Sequence, residues 1–389
     1  ERMGDKRRRG RETGLRKRLC GRLAALVALL MCAHQVAVFT TSRCYSIDWH
    51  YPAVSDPSWR TVPSEAIPHR SFDRAFAAHY SHRPVVITNA MDGWPALSLW
   101  TPAYFKDHYG DREVEVYFWG RTGLDWTART RIEPMRLGAF VDGHMGHEGT
   151  GGAKGYVQES SFMEEEGDDM DDDAALVTGS GAGPMRGNLT ADLQAAVARA
   201  WRRAEALIPE DKRRVWAETL WFPHTPLPEA QVAGLETAFW MGPAGVGTGV
   251  HYDASPALLH QVHGVKRVVL WPPAARGDLY VSGKYNYGAE LSLVDPHAHL
   301  TGDHAAAAEV DRRFPRFAGL PNATVDLRAG ETLAVPPGWW HATLTRTQSI
   351  SVAVRVQSKC QQRADWADNV LLALHNAGLY KHGNCVCHA

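Results

Sequence analysis

The sequence predicts a mainly β fold, a sandwich or barrel of short strands with flanking helices, preceded by an N-terminal membrane anchor. Three observations carry that expectation. Short apolar segments bounded by Gly or Pro recur through the second half of the chain. Glycine and proline number 35 and 22 among 389 residues, which suits many tight turns better than a helical bundle. The stretch from Cys20 to Phe39 holds a single charge, Arg22, behind a strongly basic tail. A hydrophobic fraction of 44% and an aromatic fraction of 10%, with 14 Trp, supply a real core.

In chain order, Phe72 to Tyr80 reads as a short helix and Pro84 to Thr88 as a buried strand ending in a turn at Met91 to Pro95. Glu113 to Phe118 alternates with period two, the mark of a half-buried strand, and Gly155 to Glu159 is another short one. Apolar residues fall at helical intervals from Thr190 to Leu207, before Pro209 breaks the pattern. Six further strands follow: Ala238 to Met241, Ala257 to Val262, Lys266 to Trp271, Ala323 to Leu327, Thr332 to Val335 and Ile350 to Val356. An amphipathic helix from about Arg363 to Leu379 closes the chain, and could pair two copies into a homodimer.

The formal net charge of −1 hides two opposed segments. Residues 1–22 carry ten Lys/Arg against three acids, whereas Glu164 to Asp173 has eight acids and no base. The rest of the chain is neutral, which leaves no electrostatic footprint for nucleic acid. The acidic run sits in residues 163–187, expected as a solvated, disordered insertion.

At the amino terminus, residues 1–19 read as a basic cytosolic tail and 20–39 as an uncleaved signal anchor. The tail is long for a signal peptide and no small-x-small cleavage site follows. Residues 40–60 read as a linker, and 61–389 as the folded domain, with a helix and Cys-containing tail in 363–389. Basic residues before the apolar stretch imply a type II topology with that domain in the lumen of the endomembrane system, ER or Golgi. Two glycosylation sequons, Asn188-Leu189-Thr190 and Asn322-Ala323-Thr324, agree with it, as do four cysteines beyond the anchor that an oxidising lumen would pair.

The chemistry concentrates at His251, Tyr252 and Asp253, after the glycine-rich Gly242 to Gly249. In an extended strand, residues two apart face the same way, so His251 and Asp253 can share one metal ion. His341, closing Pro337-Gly338-Trp339-Trp340-His341, offers a third ligand. Two His and one carboxylate form the facial triad of non-haem iron(II) oxygenases, which leaves coordination positions open. A His-x-Asp pair is weak evidence in a chain with 19 His, and either imidazole could be a satisfied core residue. Lys266 lies fifteen residues after His251 on an apolar segment, where a buried ammonium needs an anion. Since Lys266 and Arg267 alternate, one of them faces out.

The segments Arg83 to Ile87 with Gly93-Trp94-Pro95, Tyr156 to Gln158, Phe239 to Asp253, Gln261 to Pro273 and Gly330 to His341 together make the sequence recognisable. It resembles the JmjC-type, cupin-like hydroxylases, the group that includes the asparaginyl hydroxylase acting on hypoxia-inducible factor. The resemblance runs in order from Val62 to Val356 and implies a double-stranded β-helix, or jelly roll. It further implies Fe(II) held by His251, Asp253 and His341, and 2-oxoglutarate as cosubstrate with its carboxylate at Thr248, Lys266 and Tyr156. One departure stands out. Close relatives often carry Asn six residues after the first iron-binding His, and this chain has Ala257 there. The function so implied is an oxygenase hydroxylating a protein or peptide side chain in the secretory pathway. The alternative is a lumenal binding protein that keeps the jelly roll without turnover.

Overall fold

The computed structural model describes residues 51–66, 83–119, 130–146, 154–160, 232–253, 256–284, 289–358 and, apart from 372 and 382, 371–384. One compact unit comprises Trp49–Ser358 with Lys381–Ala389; a second comprises Glu1–Asp48 with Lys359–Tyr380. Of the second unit, the described part is a short helical stretch in which His375 is fully buried and its Nδ1 lies 2.7 Å from the Tyr380 carbonyl. The anchor at 20–39, the helices expected at 72–80 and 190–207, the insertion at 163–187 and the cysteines lie outside the described residues, as does most of the helix expected from Arg363. Among the described residues no helix is long and apolar enough to cross a membrane.

The larger unit is built from strands β1 (Ser64–Glu65), β2 (Val85–Ile87), β3 (Glu113–Trp119), β4 (Thr130–Arg136), β5 (Gly155–Ser160), β6 (Val232–Gly242), β7 (His251–Asp253), β8 (Ala257–His263), β9 (Val265–Trp271), β10 (Ala289–Leu291), β11 (Ala323–Arg328), β12 (Thr332–Val335), β13 (Trp340–Thr345) and β14 (Ser349–Ser358). They form a nine-stranded sheet in the order β1-β2-β12-β8-β14-β6-β5-β3-β4 and a five-stranded sheet in the order β10-β7-β13-β9-β11. Sequence neighbours alternate between the two sheets from β6 to β9 and again from β11 to β14, the winding of a jelly roll. The mainly β expectation therefore holds.

Burial on both faces explains why the central strands read as apolar runs rather than clean alternation. All four residues of β12 and all six of β13 are buried. Outward-facing Phe239, Met241, Val352 and Val354 of the large sheet share one cluster with Phe105 of α2 (Pro102–Tyr109) and Phe140 of α3 (Leu137–His144). Helix α2 begins where Thr101 accepts from the Tyr104 amide at 3.1 Å with Pro102 in the first turn, a cap the apolar periodicity does not signal. Outside the small sheet, Val269, Trp271, Trp340 and Ala342 pack with Phe314 and Phe317, which follow α5 (His304–Arg313). The preceding helices α1 (Ala96–Leu99) and α4 (His297–Thr301) are single turns.

Residues 51–60, expected to belong to a linker, are instead part of the domain. Trp59 is 1% exposed within a cluster of Val86, Leu270, Leu333 and Trp339, at whose ring it stands edge-on with centroids 6.2 Å apart. The Tyr51 hydroxyl donates to the Pro337 carbonyl at 2.8 Å. The physical reason is non-local: the segment has no periodicity of its own, and the pocket that receives Trp59 is made by strands from both sheets. Trp59→Ala should lower unfolding free energy by about 3–5 kcal/mol, the usual cost of removing a buried large aromatic. Urea titration of the two proteins gives the comparison, and a loss within experimental error would restore the linker assignment.

Candidate functional site

Strand β7 is only three residues long, and its alternation sorts them cleanly. Tyr252 points away and packs edge-on against Trp340 with centroids 5.0 Å apart, while His251 and Asp253 face between the sheets. Strand β13 is bonded to β7 with His341 opposite His251, and the two imidazole centroids are 4.2 Å apart. One ligating atom from each of His251, Asp253 and His341 lies within 4.8 Å of the others, a cluster able to hold a metal ion.

Both rings are oriented by their own backbone. His251 Nδ1 lies 2.9 Å from the Gly249 carbonyl and His341 Nδ1 lies 3.0 Å from the Trp339 carbonyl. A carbonyl can only accept, so each Nδ1 carries the proton and each Nε2 keeps its lone pair for a metal. Burial, reinforced by the neighbouring His251, pushes His341 down to about 4, so it is neutral near pH 7. Burial alone would raise the Asp253 carboxyl, but the Arg355 guanidinium and the two imidazoles hold it below the usual carboxylate range. Arg355 Nε lies 3.4 Å from Asp253 Oδ2, reaching across from the large sheet.

At the other end of the same space, Lys266 is 2% exposed. Its Nζ donates to the Tyr156 hydroxyl at 3.1 Å and to Ser351 Oγ, so it too bridges the sheets. Among the described residues no carboxylate pairs with it, and burial lowers it to about 7. Tyr156 is driven upward by burial and stays a neutral phenol. Arg267, the alternating neighbour, faces out in a two-pronged pair with Asp326 at 2.7 Å. Thr248 is held by Thr343, with amide and hydroxyl both 3.0 Å from Thr343 Oγ1. That contact requires Gly247, where an added Cβ would strike the Thr343 carbonyl. Thr343 lies on the inward face of β13, two residues beyond His341 and two before Thr345, which stands opposite Lys266. Lys266 and His341 are thus offset by four residue positions along the ladder, roughly 13 Å at strand rise.

The sequence reading missed Ser351, Arg355 and Trp240. A signal for the first two was present: Ser351, Ala353 and Arg355 alternate with Val352, Val354 and Val356, so small or polar residues mark one face of an apolar strand. Trp240 is 6% exposed and packs with Tyr156, and its indole N–H has no acceptor among the described residues. A buried amine with no carboxylate partner among the described residues, an orphaned indole donor and a two-His, one-carboxylate cluster fit a metal and an anionic small molecule in one interior.

Comparison with known proteins gives the family of the chain. The family model of the cupin-like domain matches residues 70–356. The chain belongs to that family. This cupin-like chain is 33% identical to Jumonji C domain-containing protein 5 of Drosophila melanogaster over 115 residues, 29% of this chain and 26% of that protein. It is 23% identical to lysine-specific demethylase 8 of Xenopus tropicalis over 281 residues, 72% of this chain and 49% of that one. It is 21% identical to tRNA wybutosine-synthesizing protein 5 of Gallus gallus over 333 residues, 82% and 83% of the two chains. The match therefore spans about a quarter of the first relative's length and about half of the second's.

The Lys266 environment yields a stability prediction. Its folded value near 7 lies below the ordinary 10.5, so between those pH values the unfolded chain binds more protons than the folded one. The cost of burying the amine is fully present below about 7 and fades as pH rises toward 10.5. Lys266→Met should accordingly raise the melting temperature of the metal-free protein near neutrality, with a smaller gain near pH 10.5. Differential scanning calorimetry at both values checks it, and equal melting temperatures for the two proteins near neutrality would contradict it.

Proposed function

We propose that this cupin-like protein is an iron(II)- and 2-oxoglutarate-dependent oxygenase that hydroxylates a side chain of a protein or peptide of the secretory pathway. The observation that carries the reading is the His251, Asp253 and His341 cluster facing the same interior as the buried, carboxylate-free Lys266. Iron bound there supplies the redox chemistry by which dioxygen oxidises 2-oxoglutarate to succinate and carbon dioxide while one oxygen atom enters a substrate C–H bond. The chain's own residues do the rest. His251 and His341 would hold the metal through Nε2 and Asp253 through a carboxylate oxygen. Lys266 and the Tyr156 hydroxyl receive one carboxylate of the cosubstrate, with Thr248 on the adjoining wall. Ammonium-to-carboxylate pairing offsets the cost of burying Lys266, and the apolar surround of Ala238, Val246, Ala353 and Trp240 excludes water.

The relatives' names range from lysine demethylation to tRNA wybutosine synthesis, so family membership does not select the substrate. A secretory-pathway protein is favoured by the basic tail and apolar stretch at residues 1–39, by the neutral body, and by the sequon at Asn322. Asn322 is exposed at the start of β11, where the Thr324 hydroxyl donates to its side-chain carbonyl at 2.9 Å.

Purified protein with iron(II) and 2-oxoglutarate should release succinate, and His341→Ala should reduce that release to the level without enzyme. Lys266→Ala should raise the KM for 2-oxoglutarate while Mn(II) binding persists. Wild-type protein that forms no succinate under any substrate mixture would turn the reading toward a binding protein. For location, endoglycosidase should increase gel mobility of the expressed chain, an effect reduced by Asn322→Gln. Mass spectra of secretory-pathway peptides should then gain single oxygen atoms. Demethylated methyl-lysine peptides without any hydroxylated product would overturn the substrate assignment.

A further inference from the structure

Two of the three candidate ligands are oriented by backbone carbonyls two residues before them, Gly249 for His251 and Trp339 for His341. A carboxylate has no such tether. It turns about its last torsion and can offer a metal either oxygen or both, so a defined geometry needs a donor on the oxygen that is not to bind. Among the described residues the side-chain donor to Asp253 is Arg355, whose Nε reaches Oδ2 at 3.4 Å with side chains only 14% and 16% exposed.

The sheet register sets the route by which Arg355 arrives. In the ladder between β8 and β14, Arg355 stands directly opposite Ala257. The single methyl of Ala257, 8% exposed, leaves the lane between the strands open for a long side chain to cross from the large sheet to β7 in the small one. The same face of β14 carries Ser351, bonded to Lys266 four residues earlier. One strand thus braces both ends of the site, at the amine through Ser351 and at the carboxylate through Arg355.

We propose that Arg355 is the positioning residue for Asp253: it engages Oδ2 so that the other oxygen is presented to the metal, and Ala257 is the small residue that admits it. The proposal rests on His251, Asp253 and His341 being a metal centre. It runs against simple electrostatics, which makes it testable. A guanidinium near a divalent ion repels it, so a merely neighbouring charge would weaken metal binding and its removal would tighten it. A positioning partner acts the other way, and loss of such a partner commonly costs 10–100-fold in metal affinity.

The experiment is Mn(II) titration of the full chain by electron paramagnetic resonance, without cosubstrate, together with the visible spectrum of the Co(II)-loaded protein. Arg355→Ala and Arg355→Gln should bind Mn(II) about 10–100-fold more weakly than wild type. Both should show an altered Co(II) spectrum, and Arg355→Lys, which keeps a long donor stem, should recover part of the affinity. Should Arg355→Ala fail to fold, the Gln and Lys variants carry the comparison. Unchanged or tighter Mn(II) binding in the folded variants overturns the role of Arg355 while leaving the metal centre standing. Absence of Mn(II) binding by wild type removes the metal centre, and the role of Arg355 with it.

Discussion

Strand β13 is hydrogen-bonded along both edges, and the site depends on that double pairing. On one side His341 stands opposite His251; on the other, six consecutive pairs tie Trp340 to Thr345 against β9. Side chains in a strand alternate faces, so a slip of one residue would turn His341 outward and bring Trp340 into the centre. Trp340 is held outside by Tyr252 and the cluster around Val269, Trp271 and Phe317, and Trp339 is locked beside Trp59. The bulk of two adjacent tryptophans, each needing its own pocket, is what makes the register of His341 unambiguous.

Two polar ties cross between the sheets, and they differ in energetic character. Arg355 and Asp253 compensate each other's charge, so this tie orders the site at modest cost. Lys266 has hydroxyl and aromatic-ring partners but no carboxylate among the described residues, and burial lowers its amine to about 7. A fully apolar residue there would satisfy packing better. Retaining a lysine at such a place is the kind of local violation that proteins carry where an anion is to be bound.

Ala257 and Arg355 share one rung of the β8–β14 ladder. Small and large side chains facing one another across a rung are a packing solution as much as a chemical one, because the methyl creates the volume that the guanidinium fills.

By itself the sequence determined the kind of fold and the local half of the site. Strands such as Thr332 to Val335 and Lys266 to Trp271 are legible because all or most of their residues are buried and they are punctuated by Gly or Pro. The pairing of His251 with Asp253 is legible because alternation is a property of the strand they share. Strand β4, Thr130–Arg136, escaped because its sequence is polar and proline-containing, and residues 51–60 because their docking depends on a pocket built elsewhere. Which strands lie side by side was decided only by the tertiary structure. Tyr156 meets Lys266 across 110 residues and Arg355 meets Asp253 across 102, contacts that follow from sheet order and register. A residue's face is set by its immediate neighbours in the chain, but the partner across that face is set by the winding of the whole jelly roll.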